Sequence, residues 1–271
     1  MKLAVAELEK KSREIRREIV RLAAKAGASH VASALSVVDI LTVLYFSELN
    51  VDLKKTKNKD RDIIILSKGH GGLALYVTLA HRGFFPIPKL ESYCASGSKL
   101  TGHPMIESVP GVEATTGSLG HGLAIGLGMA LAAKRDDKKS RVFVILSDGE
   151  LDEGSTWEAI LAAGQFKLDN LVAIVDYNKI QSFGFVKEIM DLEPMVDKWL
   201  SFNWEAVRID GHDMQKLVEG ICACPINKGK PTVIIADTVK GKGVSFMENK
   251  VEWHYKSPDE NQLTMALAEL K

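Results

Sequence analysis

Asp148 and Asn178 are the residues best placed to do chemistry. Each ends a short apolar run, Arg141-Val-Phe-Val-Ile-Leu-Ser-Asp148-Gly149-Glu150 and, 30 residues later, Asn170-Leu-Val-Ala-Ile-Val-Asp-Tyr-Asn178-Lys-Ile180. Runs rich in Val and Ile that finish at a polar residue read as buried parallel strands whose carboxyl ends open onto a crevice. Two such ends side by side would offer one hard cation a carboxylate and an amide oxygen. Asp148-Gly149 should then lead into a helix whose free N–H groups suit a phosphate. Either residue alone is an ordinary polar strand end. Together they suggest a divalent ion bridging a diphosphate.

Four histidines, His30, His70, His103 and His254, fall in expected loops and are the next candidates. The elements that position them follow from hydrophobic spacing. Residues 3 to 26 read as a charged amphipathic helix and Ser36 to Leu49 as a more apolar one, with His30 on the connection between them. The strand Ile63 to Leu66 stops at Ser67-Lys68-Gly69-His70-Gly71-Gly72, ahead of a helix from Leu73 to Arg82. Residues 83 to 116 form a long Gly-, Pro- and Ser-rich connection that holds Thr101-Gly102-His103-Pro104.

Thr116-Gly117-Ser118-Leu119-Gly120-His121-Gly122 opens a helix from Leu123 to Lys134, where Gly126 and Gly128 imply close packing. A strand at Glu205 to Ile209, a helix at Met214 to Cys222 and an apolar run from Pro231 to Thr238 complete the alternation. The fold expected is α/β, a doubly wound and mainly parallel sheet with helices on both faces, as one domain over residues 1–271.

Composition narrows the partners. The chain has 271 residues, 46% of them hydrophobic, with 35 basic residues balancing 35 acidic ones. No nucleic-acid footprint, membrane-binding basic surface or signal peptide is indicated, so a cytoplasmic protein is expected. Cys94, Cys222 and Cys224 make neither a metal quartet nor a disulfide framework and read as reduced thiols. Gly120 to Gly126 imitates a dinucleotide-binding loop, but no strand-like run precedes it. Lys240-Gly-Lys242-Gly243 lacks the spacing of a nucleotidase phosphate loop and reads as a tight turn.

The motifs together resemble the thiamine diphosphate fingerprint, most closely its transketolase version. Asp148-Gly149-Glu150-Leu-Asp-Glu153-Gly154 and Asn178-Lys179-Ile180 match it, with Ser147 in place of the leading glycine and Tyr177 in place of the first paired asparagine. Ser67-Lys-Gly-His70, Thr101-Gly-His103-Pro104 and Thr116-Gly-Ser-Leu-Gly120 follow in the family's order. The first histidine motif reads Ser29-His30-Val31-Ala32, and His254 lies without flanking motif residues.

The resemblance implies thiamine diphosphate and Mg²⁺, with Ca²⁺ or Mn²⁺ as substitutes. The ion's ligands would be the side chains of Asp148 and Asn178 with the carbonyl of Ile180, completed by diphosphate oxygens and water. His70, Gly117, Ser118, Leu119, Asp148, Gly149, Glu150, Asn178 and His254 would bind the cofactor, and His70 and His254 would also be catalytic, near both the diphosphate and the reacting carbon. His30 would move a proton at the donor's oxygen, His103 would hold a substrate hydroxyl, and Glu153 would couple two sites.

By the same resemblance, the pyrimidine-binding and third domains of a full transketolase are missing after Lys271. A split enzyme is therefore expected, with a separate C-terminal subunit, two copies of each chain and sugar phosphates as substrates of a two-carbon ketol transfer. Another thiamine-dependent subunit, of 2-oxo acid decarboxylase or deoxyxylulose phosphate synthase type, is the alternative within enzymes. A non-catalytic relative that binds a partner is the alternative outside them.

Overall fold

A computed structural model describes residues 2–53, 58 and 60–271. Five strands form one parallel sheet: β1 (Ile63–Leu66), β2 (Val142–Ser147), β3 (Leu171–Tyr177), β4 (Glu205–Asp210) and β5 (Thr232–Asp237), in the order β1-β2-β3-β5-β4. Their sequences lack the polar alternation of a half-exposed sheet because both faces are covered. Ile64, Phe143, Ile145, Val172, Ile174 and Ile234 join one core. Ile65, Val142, Val144, Leu171, Val175 and Val233 join the other.

The first core is closed by α1 (Val5–Ala26), α2 (Val31–Ser36), α3 (Val38–Val43), α4 (Gly72–Arg82) and α9 (Met214–Cys222). The second is closed by α5 (Gly122–Arg135), α6 (Gly154–Gln165) and α8 (Met195–Ser201). The short α7 (Val186–Ile189) and the terminal α10 (Glu260–Glu269) complete the helices. Helices thus lie on both faces, as expected. None of the described helices is long and apolar enough to cross a membrane. The three cysteines are free thiols.

Some boundaries differ from expectation. The second helical stretch begins at Val31, not Ser36, because Ser33 and Ser36 are buried inside it and their polarity does not mark a loop. Close packing holds at Gly126, where an added Cβ would lie 2.4 Å from Val144 Cγ2, but not at Gly128, which faces open space.

Candidate active site

β2 and β3 pair in register from Val142↔Leu171 to Ser147↔Asp176, so Asp148 and Asn178 leave the sheet in adjacent loops. They border an opening also lined by Ser33, His70, Lys240 and His254. Asp148 is 2% exposed. Its Oδ1 accepts the Gly149 N–H at 2.8 Å and its Oδ2 the Lys179 N–H at 2.7 Å. Burial pushes the carboxyl up to about 6, against the Gly149 hydrogen bond and with the nearby Asp176 carboxylate adding to the rise.

The helix expected after Asp148 is a single 3₁₀ turn, Gly149–Asp152, and α6 begins only at Gly154. Asp148 takes the Gly149 N–H for itself, so the offer of free helix N–H groups to a phosphate is smaller than the sequence suggests.

Asn178 Oδ1 accepts the Ile180 N–H at 3.2 Å, which folds the loop back on itself. The Ile180 carbonyl accepts a hydrogen bond from Lys240 Nζ at 2.9 Å, and the same ammonium lies 2.7 Å from His254 Nδ1. Lys240 is 1% exposed; burial lowers its pKa to about 8, with Asp148 opposing that shift. Among the described residues, no group of three or more His, Cys, Asp or Glu could hold a metal. An ion here would take much of its shell from a ligand.

The four histidines converge. His30 lies 5.4 Å from His70, 6.0 Å from His103 and 5.0 Å from His254 between ring centroids. His30 begins α2 in a left-handed conformation, φ 66°, and its N–H donates to the His254 carbonyl at 2.9 Å. Its Nδ1 is buried without a hydrogen-bond partner. Imidazoles that titrate near neutral pH would suit proton transfer, but burial moves three of these below that range. His30 falls to about 4, with His103 adding to the shift, and His254 to about 3, with Lys240 adding. His70 falls well below its ordinary value through burial and the nearby Lys68. All three are neutral at pH 7, and an anion placed among them would raise them.

The loop from Thr116 to Gly120 lies against this cluster. Gly117 has φ 134°, and a Cβ there would come 2.7 Å from the His103 ring. Leu119 lines the opening, while Ser118 is exposed. Glu150 does not line it. That side chain is fully buried, with Oε1 accepting from the Ser67 hydroxyl and, at 2.9 Å, from the Gly120 N–H, so it braces the loop from behind.

Sequence reasoning missed two buried ammonium groups, Lys240 lining the opening and Lys68 behind Ser33, which lines it. Lys68, fully buried, donates to the Ser33 carbonyl at 3.1 Å and to Asp176 Oδ2. Asp176 also accepts from Ser36 Oγ at 2.6 Å and Thr238 Oγ1 at 2.5 Å. An acid inside the apolar run of β3 was the available signal. Lys240 gave none, since the glycines around it read as a turn; the positive φ of Gly241 and Gly243 bears that turn out.

Residues 9–268 match the family profile described as "Transketolase, thiamine diphosphate binding domain". The chain belongs to the transketolase family. It is 48% identical over 270 residues to an apulose-4-phosphate transketolase subunit of Actinobacillus succinogenes, covering 99% of this chain and 98% of that relative. It is 40% identical over 265 residues to 6-deoxy-6-sulfo-D-fructose transketolase subunit SqwG of a Clostridium species, covering 98% and 96%. The transketolase crystal structure from Campylobacter jejuni superposes with a TM-score of 0.90 at 28% identity, over 100% of this chain and 43% of that one. This transketolase-family chain thus spans under half of that solved transketolase and nearly all of the two smaller relatives.

The site fits the family's cofactor. Asp148 is a buried carboxylate whose raised pKa a cation would relieve, Lys240 supplies positive charge for an anion, and three neutral imidazoles remain as acceptors and donors.

Proposed function

We propose that this chain is the diphosphate-binding subunit of a two-chain transketolase. It would act with a C-terminal, pyrimidine-binding subunit, two copies of each, to transfer a two-carbon ketol unit between sugar phosphates. Asp148, Asn178, His70 and His254 around one opening at the strand ends, with His30 joined to both histidines and His103 to His30 through ring contacts, carry this reading. The Actinobacillus and Clostridium relatives, which match this chain over nearly their whole length, are both named as transketolase subunits, which supports a separate partner.

Asp148 and Asn178 would hold Mg²⁺ through their side chains and Ile180 through its carbonyl, whose second lone pair is not taken by Lys240. Gly149 would let the diphosphate approach closely, Gly117, Ser118 and Leu119 would line the cofactor through backbone groups, and Glu150 would support that lining from behind. Thiamine diphosphate, when bound, would supply a carbon nucleophile. His30, neutral and with Nδ1 unpartnered, accepts or returns a proton at the donor's oxygen. His103, exposed at the rim, holds a substrate hydroxyl, while His70 and His254 face the diphosphate side.

The test is a ketol-transfer assay on this chain, on a candidate C-terminal partner and on their mixture, with mass followed by light scattering. Activity confined to the equimolar mixture, at the mass of two copies of each, is expected. Turnover by this chain alone as a monomer overturns the proposal.

A further inference from the structure

The loop that carries Lys240 is held from behind by a buried relay of side chains. Arg16 on α1 makes two hydrogen bonds to Asp39 on α3, Nη1 to Oδ1 at 2.9 Å and Nη2 to Oδ2 at 2.7 Å. His212, in the turn after β4, places Nδ1 2.6 Å from Asp39 Oδ2 and Nε2 2.8 Å from the Val239 backbone nitrogen. A backbone N–H only donates, so Nε2 must accept there and the ring hydrogen sits on Nδ1, donated to Asp39. Arg16 is 5% exposed and Asp39 3%. The Arg–Asp pair thereby fixes which nitrogen of the imidazole meets Val239, and the next residue is Lys240.

We propose that His212 is a positioning residue for the anion-binding end of the site, acting through Val239 on Lys240. Neighbouring backbone bonds, Thr238 N–H to the Tyr177 carbonyl at 3.1 Å and Gly241 N–H to the Ala32 carbonyl at 3.0 Å, fix the turn on either side. The bond that the Val239 N–H donates to His212 fixes its middle, and with it the direction from which the Lys240 stem reaches the Ile180 carbonyl and His254. This inference rests on the diphosphate reading above. It adds a chain of side chains, contributed by α1, α3 and the turn after β4, that no motif of the site contains.

The experiment measures binding of Mn²⁺ with inorganic pyrophosphate to the full chain by isothermal titration, well below each variant's melting temperature. His212→Ala should weaken binding by about fivefold to tenfold, the scale of one lost hydrogen bond to a positioned group. His212→Gln, whose amide oxygen reaches the place of Nε2, should restore it. His212→Asn, whose amide matches Nδ1 and keeps the Asp39 contact, should not. In a Lys240→Met background, His212→Ala should cost nothing further, because its effect passes through the ammonium. Equal losses in both backgrounds, equal rescue by Asn and Gln, or unchanged binding in His212→Ala would overturn the proposal. If His212→Ala does not fold, the Gln and Asn variants carry the same comparison. A parent chain that takes up no Mn²⁺-pyrophosphate overturns the diphosphate reading and this proposal with it, whereas a binding parent with an indifferent His212 overturns this proposal alone.

Discussion

Asp148 Oδ2 accepts the Lys179 backbone N–H at 2.7 Å, so the carboxylate that ends β2 also clamps the turn that follows β3. The same group therefore shapes the loop and stands ready for a cation. Burial raises its pKa to about 6, which means that ionised Asp148 costs the cation-free fold stability at neutral pH.

Asp148→Asn should lose the cation and one of the two loop bonds. Removing the buried charge recovers at most ~3 kcal/mol at pH 7, but the NH2 group that replaces one carboxylate oxygen cannot accept from Gly149 or Lys179, so the two effects oppose and the melting temperature of the cofactor-free chain should stay within a few degrees of the parent's. The same substitution should abolish Mg²⁺-dependent binding of thiamine diphosphate. Scanning calorimetry and isothermal titration measure the two effects. Unchanged cofactor affinity would remove Asp148 from the metal site.

His103 should affect substrate more than cofactor. Its ring packs over Gly117 but is exposed, and it belongs to the rim of the histidine cluster. His103→Ala in the assembled enzyme should lower kcat/KM for hydroxyketose donors at least about tenfold, through loss of a contact to a substrate hydroxyl, with cofactor affinity within about twofold. Steady-state kinetics at saturating cofactor decides this. A variant altered only in cofactor affinity would move His103 out of the substrate site.

Much of the scaffold was legible because strands buried on both faces leave uninterrupted Val- and Ile-rich runs. β1 occupies the residues its sequence indicates, and α9 runs from Met214 to Cys222 as its apolar spacing implies. The pairing of Asp148 with Asn178 was legible for the same reason, since each ends such a run. Buried polarity was not. Ser36 looked like a helix boundary because a hydroxyl usually marks one, whereas here it donates to Asp176, 140 residues away. Lys68, Lys240 and the Arg16–Asp39–His212 relay likewise depend on contacts between distant segments, which no local period encodes.

The two glycines of α5 should respond to alanine in opposite directions. A Cβ at Gly126 would come 2.4 Å from Val144 Cγ2 in β2, so Gly126→Ala overpacks the helix against the sheet and should destabilise by roughly 1–3 kcal/mol. Nothing lies within 4 Å of a Cβ at Gly128, so Gly128→Ala should stabilise by about 0.5–1 kcal/mol through helix propensity. Denaturant titration of both variants measures the pair. Destabilisation of similar size at both positions would show that α5 does not sit on β2 as described.

Acid should loosen the fold through Asp39. Burial opposes its ionisation, but the Arg16 guanidinium and the His212 hydrogen bond outweigh burial and hold the carboxyl below its ordinary 3.8. A carboxyl lowered in the folded state contributes stability that is fully present above the unfolded value and is lost as pH falls through it toward the folded one. Asp39→Asn leaves the Arg16 charge buried without its partner and should cost about 3–5 kcal/mol at pH 7. Because the variant has no carboxyl to protonate there, its melting temperature should fall less steeply than the parent's between pH 5 and pH 2, taken here as roughly one unit above and two below the ordinary carboxylate value. Calorimetry across that range compares the slopes. Parallel curves for parent and variant would mean that Asp39 titrates in the fold as it does in the unfolded chain, and that the Arg16–Asp39 pair does not anchor α1 to α3.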